Sequence, residues 1–183
     1  MIKLASSEIY KELINGRVIN KHQYIDGLMQ ANDLYDEIYS DLEAYRKHYD
    51  MIGFELADCG DSYYLRDLDS DRYKDTAALK IQALLLIISR FSSSVGTLID
   101  ALKDYRSGIS RSSLKLIEPI DEVKDILKAC GMDGTLVNEI EKNLIVRGVG
   151  FWNQNDGLVL TDGGQAIFNS MFQSTQVSFE KDL

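Results

Sequence analysis

Between Asp33 and Tyr49 the apolar positions Leu34, Ile38, Leu42, Tyr45 and Tyr49 recur every three or four residues, which is one stripe of an amphipathic helix. Upstream, 6–14 read as a short helix with Ser6 as N-cap and Glu8 in the first turn, stopped by Asn15-Gly16. Val18 and Ile19 suit a short strand, and Asn20 is placed to cap a second helix running to about Met29. Beyond Tyr49 the period changes to two. Ile52, Phe54 and Leu56 alternate, Asp58-Cys59-Gly60-Asp61 supplies turn chemistry, and Tyr63 and Leu65 alternate again, predicting a hairpin. The charged stretch 67–75 has no apolar period and reads as an exposed connector.

Thr76 opens a helix to Phe91 whose LLLII centre is apolar on nearly every face, the pattern of a helix packed between other elements. Ser92–Ser94 and Gly96 break it, 98–105 form a further short helix, and RSGISRSS (106–113) reads as a polar loop. Pro119 starts a helix with Ile120, Val123, Leu127 and Cys130 on one side. After a turn at Gly131–Gly134, Thr135 caps a helix carrying Leu136, Ile140 and Leu144, closed by Gly148. Phe151-Trp152 and Leu158–Leu160 flank a turn ending in Asp156-Gly157, a second hairpin. Thr161 then caps a last helix with Ile167, Phe168, Met171 and Phe172 on one side, and 174–183 form a frayed tail.

Helices followed by a hairpin, in each half, is the order of a winged helix. The expected fold is mainly α within the α+β class: tandem winged-helix domains at 1–75 and 76–173, joined through the long apolar helix, with a flexible tail at 174–183. A single proline fits this better than a many-stranded sheet, and 45% hydrophobic with 27% charged residues is a globular mixture, not a disordered one.

Charge narrows the function. The net charge is −9, and a net-acidic surface repels the phosphate backbone at long range, so a stand-alone DNA reader is disfavoured and partners with basic surfaces are favoured. Between Asp33 and Asp50 six acids face only Arg46 and Lys47, leaving four net negative charges on the segment that would have to enter a major groove. The helix at 135–147 is neutral. One stretch runs the other way: Lys103, Arg106, Arg111 and Lys115 against Asp104 alone, interleaved with serines, a composition suited either to phosphate contacts or to a solvated loop.

Catalytic signatures are missing from the sequence. It has two histidines, His22 and His48, with no CxxC, HxxxH, GxSxG, GxGxxG or GxxxxGK. No metal, cofactor or enzymatic role is expected. Cys59 and Cys130 lie far apart with no signal peptide ahead of them, and the longest apolar run, Ala83–Ile88, is far short of a bilayer span, so a cytoplasmic protein with reduced thiols is expected. Tyr35, Tyr39, Tyr45 and Tyr49 belong either to the core or to a partner-facing ridge, and Tyr35 and Tyr39, off the main stripe, point towards an interface. Asp36, Glu37, Asp41 and Glu43 would surround them as steering charges.

The stretch 16–67 carries a resemblance. Gly16-Arg17-Val18-Ile19, the tyrosine pairs four apart at Tyr35/Tyr39 and Tyr45/Tyr49, Tyr63-Tyr64-Leu65-Arg66 and the following KIQALLLIISRF (80–91) resemble the MukE and MksE subunits of bacterial condensins. The likeness covers 16–91 in sequence and 92–172 in architecture alone. It implies a tandem winged-helix, homodimeric subunit that binds the central region of a kleisin (MukF or MksF) and thereby regulates an SMC-type ATPase (MukB or MksB) in chromosome condensation and segregation. It also implies a nucleoid-associated location and only weak or indirect DNA contact. Two alternatives stay open: a winged-helix transcription regulator, which would want a basic recognition helix, and the equivalent subunit of an SMC-like plasmid-defence complex.

Overall fold

The computed structural model describes residues 3–68 and 76–179. In chain order the first half contains α1 (Lys3–Ile14), β1 (Ile19–Asn20), β2 (His22–Ile25), β3 (Leu28–Ala31), α2 (Asp33–Ser40), α3 (Leu42–Asp50), β4 (Phe54–Asp58) and β5 (Ser62–Asp67). The second contains α4 (Thr76–Phe91), β6 (Ile109–Ser110), α5 (Arg111–Ile117), α6 (Asp121–Ala129), α7 (Leu136–Ile140), β7 (Gly150–Trp152), β8 (Gly157–Leu160) and α8 (Asp162–Phe179). Helix and antiparallel sheet are mixed in both, which bears out the α+β class. Each half builds a three-stranded sheet, in the order β1-β5-β4 and β6-β8-β7.

Each sheet sits over its own apolar cluster. Ile9, Leu13, Ile38, Tyr45, Tyr49 and Leu56 are buried together in the first half. In the second, Leu84, Leu85, Ile87 and Ile88 of α4 pack with residues of α5 to α8, including Leu114, Val123, Leu136 and Phe168. The predicted hairpins form with their expected alternation: Leu56 opposes Leu65 and Trp152 opposes Leu158. Two expected caps are made. Thr135 Oγ1 accepts from Asn138 N at 3.2 Å, and Thr161 Oγ1 accepts from Gly164 N at 3.2 Å.

Five local expectations are corrected. The segment after Asn20 is not a helix but the hairpin β2–β3, turning at Asp26 (φ 51°) and Gly27 (φ 85°). Two consecutive positive φ values make the Asp-Gly turn that matches strand twist, and this chemistry overrides the weak apolar period of 20–29. The helix expected over 33–49 is two helices, broken at Asp41 (φ −137°, ψ 41°), so Asp36 and Glu37 do not share one helix face with Asp41. Ser6 is not an N-cap: α1 begins at Lys3, and the Ser6 hydroxyl lies 3.1 Å from that of Tyr45. The supposed loop 106–113 holds β6 and the start of α5, with Ser110 Oγ accepting from Ser113 N at 3.1 Å. The last helix does not end at 173; its backbone stays helical to Phe179, while 180–183 of the expected tail and most of the connector 67–75 lie outside the described residues.

The 20 residues Thr76–Val95 reach a mean hydropathy of 1.3, enough by length and composition to cross a bilayer, yet Ala83 to Leu85, Ile87 and Ile88 are buried in the second core. Its apolar character is therefore explained by packing, with Leu79 and Leu86 left at the surface.

The unpredicted hairpin joins the halves. Tyr24 of β2 stacks on Phe151 of β7 with centroids 4.6 Å apart, and its hydroxyl accepts from Gln154 N at 3.2 Å. Beneath it Asn20, 6% exposed, bridges the two: Nδ2 donates to Gly148 O at 2.8 Å, and Oδ1 accepts from Gly163 N at 2.8 Å. Asn20 does cap a helix, but that helix is α8, in the other half. Gly148 takes φ 71°, and a side chain there would meet Val18 O at 2.8 Å, so close passage of the two backbones requires glycine.

Candidate protein-binding surface

α2 is set by Asn32, whose Oδ1 accepts from Leu34 N at 3.1 Å while its Nδ2 donates to Asn20 O at 2.8 Å. The tyrosines then divide. Tyr35 is buried, stacked on Tyr63 at 4.9 Å, whereas Tyr39, 6.3 Å from Tyr35, is 68% exposed. Of the two tyrosines, only Tyr39 presents a ring to a partner. In the same segment Asp36, Asp41 and Glu43 are exposed, and Glu37 is half-buried with its carboxylate accepting from the Tyr45 hydroxyl at 3.4 Å. Glu43 is partly neutralised by Arg46 at 3.4 Å.

The buried phenols below this face are kept neutral. Burial, reinforced by neighbouring tyrosines, pushes Tyr49 and Tyr63 each up to about 12. Burial also raises the Cys59 thiol, which makes it a poorer nucleophile. His22 meets Asp162 at 3.1 Å, and His48 sits edge-on to Tyr49 at 5.7 Å. Among the described residues no three His, Cys, Asp or Glu side chains gather as a metal site.

The acidic face continues into a groove of about 750 Å³ between α3 and β4, with Lys47 and Asp50 on the helix side and Ala57, Tyr64 and Arg66 on the sheet side. Arg46 ties its two walls together through Asp58 at 3.0 Å, and Arg66 pairs with Glu55.

The basic segment is less free than its composition suggests. Arg111 pairs with Glu141 at 2.6 Å and Asp156 at 3.4 Å, and lies 3.9 Å over the Trp152 ring, so it joins α5 to β7, to the turn ahead of β8 and to the helical turn after α7. Arg106 lies over Tyr105 at 5.3 Å and donates to its hydroxyl at 3.1 Å. Lys103 reaches Asp100 only at 4.0 Å, and Lys115 is exposed. Sequence reasoning grouped these four cations as one patch; Lys103 ends a 3-10 helix, Arg106 lies in a turn, and Arg111 and Lys115 belong to α5.

Sequence reasoning missed Asn20 as the junction, and the open edge of β4. The register that leaves that edge free depends on pairing with β5, and no local signal carries it.

No curated protein matches the chain. A family model described as condensin complex protein MksE matches residues 5–151, well over half of the 183-residue chain, from α1 through the start of the second hairpin. The match spans the acidic face, Asn20 itself and the core helix α4 alike, and on that extent the chain belongs to the MksE family of condensin complex proteins.

Proposed function

We propose that the chain is a non-enzymatic, kleisin-binding subunit of an SMC-type condensin, acting in chromosome condensation and segregation on the cytoplasmic nucleoid. Membership of a condensin family supports a role within a multi-subunit complex. The observation that carries the finer reading is the exposed Tyr39 on α2, in a segment whose Asp36, Asp41 and Glu43 are also exposed. An exposed aromatic in a segment of net negative charge suits a basic protein partner, the ring as anchor and the charges for steering. In each half, helices lead into a hairpin on a three-stranded sheet, which agrees with a tandem winged-helix reading divided near 76. In that reading the helices that would enter a DNA groove are acidic or neutral, so protein recognition replaces base reading. The exposed Leu79 and Leu86 on α4 suit contact with a second copy, as a homodimeric subunit requires.

The test is association with the kleisin of the same complex. Asp36, Glu37, Asp41 and Glu43 reversed to Lys should slow association markedly at low salt and much less at high salt, because exposed charges are screened over about 8–10 Å at physiological ionic strength. A folded chain that captures no kleisin would refute the reading.

A further inference from the structure

The groove beside α3 exposes a strand edge. β4 pairs with β5 on one side, and among the described residues nothing pairs with the other. The direction of each backbone group follows from the register. Cys59 N donates to Ser62 O at 3.0 Å and Leu68 N donates to Gly53 O at 3.2 Å, bracketing the ladder. Hydrogen-bonded pairs alternate along an antiparallel ladder, so Glu55 and Ala57 also direct their backbone groups towards β5. Phe54, Leu56 and Asp58 therefore direct theirs away from it, into the groove.

Three of the usual protections of an edge are missing. FELAD contains no proline and no lysine, and its five residues pair with β5 without a bulge. Glu55, which could repel a second strand, is neutralised by Arg66. A helix running beside an open strand is the arrangement in which extended peptides add to a sheet, with main-chain bonds giving affinity and alternate side chains giving selectivity. On the α3 wall Arg46 is already committed to Glu43 and Asp58, whereas Lys47 and Asp50 have no ion-pair partner among the described residues. Their opposite charges select a segment that carries an acid and a base on one face.

We propose that the open edge of β4 takes an extended segment of the kleisin as a fourth strand of the first sheet, an inference that rests on the kleisin-binding reading above. The segment has free N–H groups at alternate positions, an acidic side chain facing Lys47 and a basic one facing Asp50. The groove adjoins the acidic face through Glu43, so the strand and the Tyr39 contact are parts of one footprint.

Residue-resolved amide exchange on the full chain, with and without the kleisin, tests this. In the free chain Glu55 and Ala57 should exchange slowly and Phe54, Leu56 and Asp58 fast; adding the kleisin should slow the latter three tenfold or more, as a new hydrogen bond does on the order of magnitude expected. Asp58→Pro removes one outward donor and leaves the bonds to β5 in place, so it should weaken kleisin binding about tenfold, whereas Asp58→Asn keeps the N–H and should bind within about threefold of the parent chain. If Asp58→Pro does not fold, the exchange pattern of the parent chain decides alone. Kleisin binding that leaves the three amides unprotected overturns this inference while the functional reading stands; no kleisin binding at all overturns both. Protection already present in the dilute free chain means the chain covers its own edge. Protection that rises with its concentration means a second copy does, and either result overturns the proposed occupant.

Discussion

Truncating Asn20 to alanine should weaken the whole chain, because its side chain spans the two halves inside the fold. Gly163 N belongs to the first turn of α8, where amides lack intrahelical acceptors, and Asn20 Oδ1 at 2.8 Å supplies one. Removal orphans that amide at a site where Asn20 is only 6% exposed, so water cannot readily replace the carboxamide. Gly148 O is better protected, since it also accepts from the Thr161 hydroxyl at 2.8 Å. One buried donor left without a partner costs about 1–3 kcal/mol. For a chain of this size that lowers Tm by about 2–4 °C per kcal/mol, roughly 4–8 °C at the middle of the range. His22→Ala provides the comparison. The His22 side chain meets Asp162 across the same junction at 3.1 Å but is 43% exposed, and exposed pairs contribute about 0–1 kcal/mol. Thermal unfolding followed by circular dichroism and by the fluorescence of Trp152, the single tryptophan, reads both variants. An Asn20→Ala shift no larger than that of His22→Ala would show that the junction is wet and the reasoning wrong.

The remaining expectations use the same logic of burial and exposure. Tyr39→Ala should leave stability within about 0.5 kcal/mol and speed kleisin dissociation by about 1–2 kcal/mol, measured by surface plasmon resonance; Tyr35→Ala, which empties a buried stack on Tyr63, should instead cost about 3 kcal/mol in urea unfolding. Reversal of Lys103, Arg106 and Lys115 to Glu should abolish weak, salt-sensitive DNA binding without loss of stability, while adding Arg111→Glu should also destabilise, because that residue alone of the four bridges Glu141, Asp156 and Trp152. Tight DNA binding that survives the triple change at physiological salt would count against this placement. Tyr49 and Tyr63 hold their protons more tightly folded, near 12, than unfolded, near the ordinary 10.0, so the stability they contribute is fully present below about pH 10 and is lost as pH rises towards about 12. A urea midpoint that stays constant from about pH 9.5 to pH 11.5 would contradict this, since the linkage requires it to fall.

Elements whose cause is local were legible in the sequence. Strand alternation around a turn marked both predicted hairpins, and Thr135 and Thr161 marked helix starts because a cap bonds within its own first turn. The misread segments carried signals too. Asp26-Gly27 announces a two-residue hairpin turn, and Ser110 followed by Leu114 and Ile117 announces α5. Tyr35 lay off the stripe only because Leu34 was placed on it; spacing of three, four, three and four through Tyr35, Ile38, Leu42, Tyr45 and Tyr49 puts Tyr35 inside, where the structure has it. Asn20 is a different case. Its partners Gly148 and Gly163 lie more than a hundred residues away, and no periodicity reports a cap supplied from the other half.

The same junction gives the charge distribution a fixed geometry. The acidic surplus is concentrated in the first half: 1–75 hold sixteen acids against nine bases, and 76–183 hold thirteen against eleven. Attraction of a basic partner and repulsion of a polyanion therefore both originate mainly from the side bearing Tyr39 and the β4 edge, while the second half, two charges negative, is nearly indifferent to either. Asn20, the Tyr24–Phe151 stack and the close backbone passage at Gly148 lock the halves through directional or short-range contacts, which a hinge of loose apolar surface would not. Exposed charges act only over about 8–10 Å at physiological ionic strength, so the acidic face steers its partner locally and leaves Lys103, Arg106 and Lys115 to their own surroundings. A basic partner seated on the first half would leave those cations untouched, so protein binding and any DNA contact would act independently instead of competing.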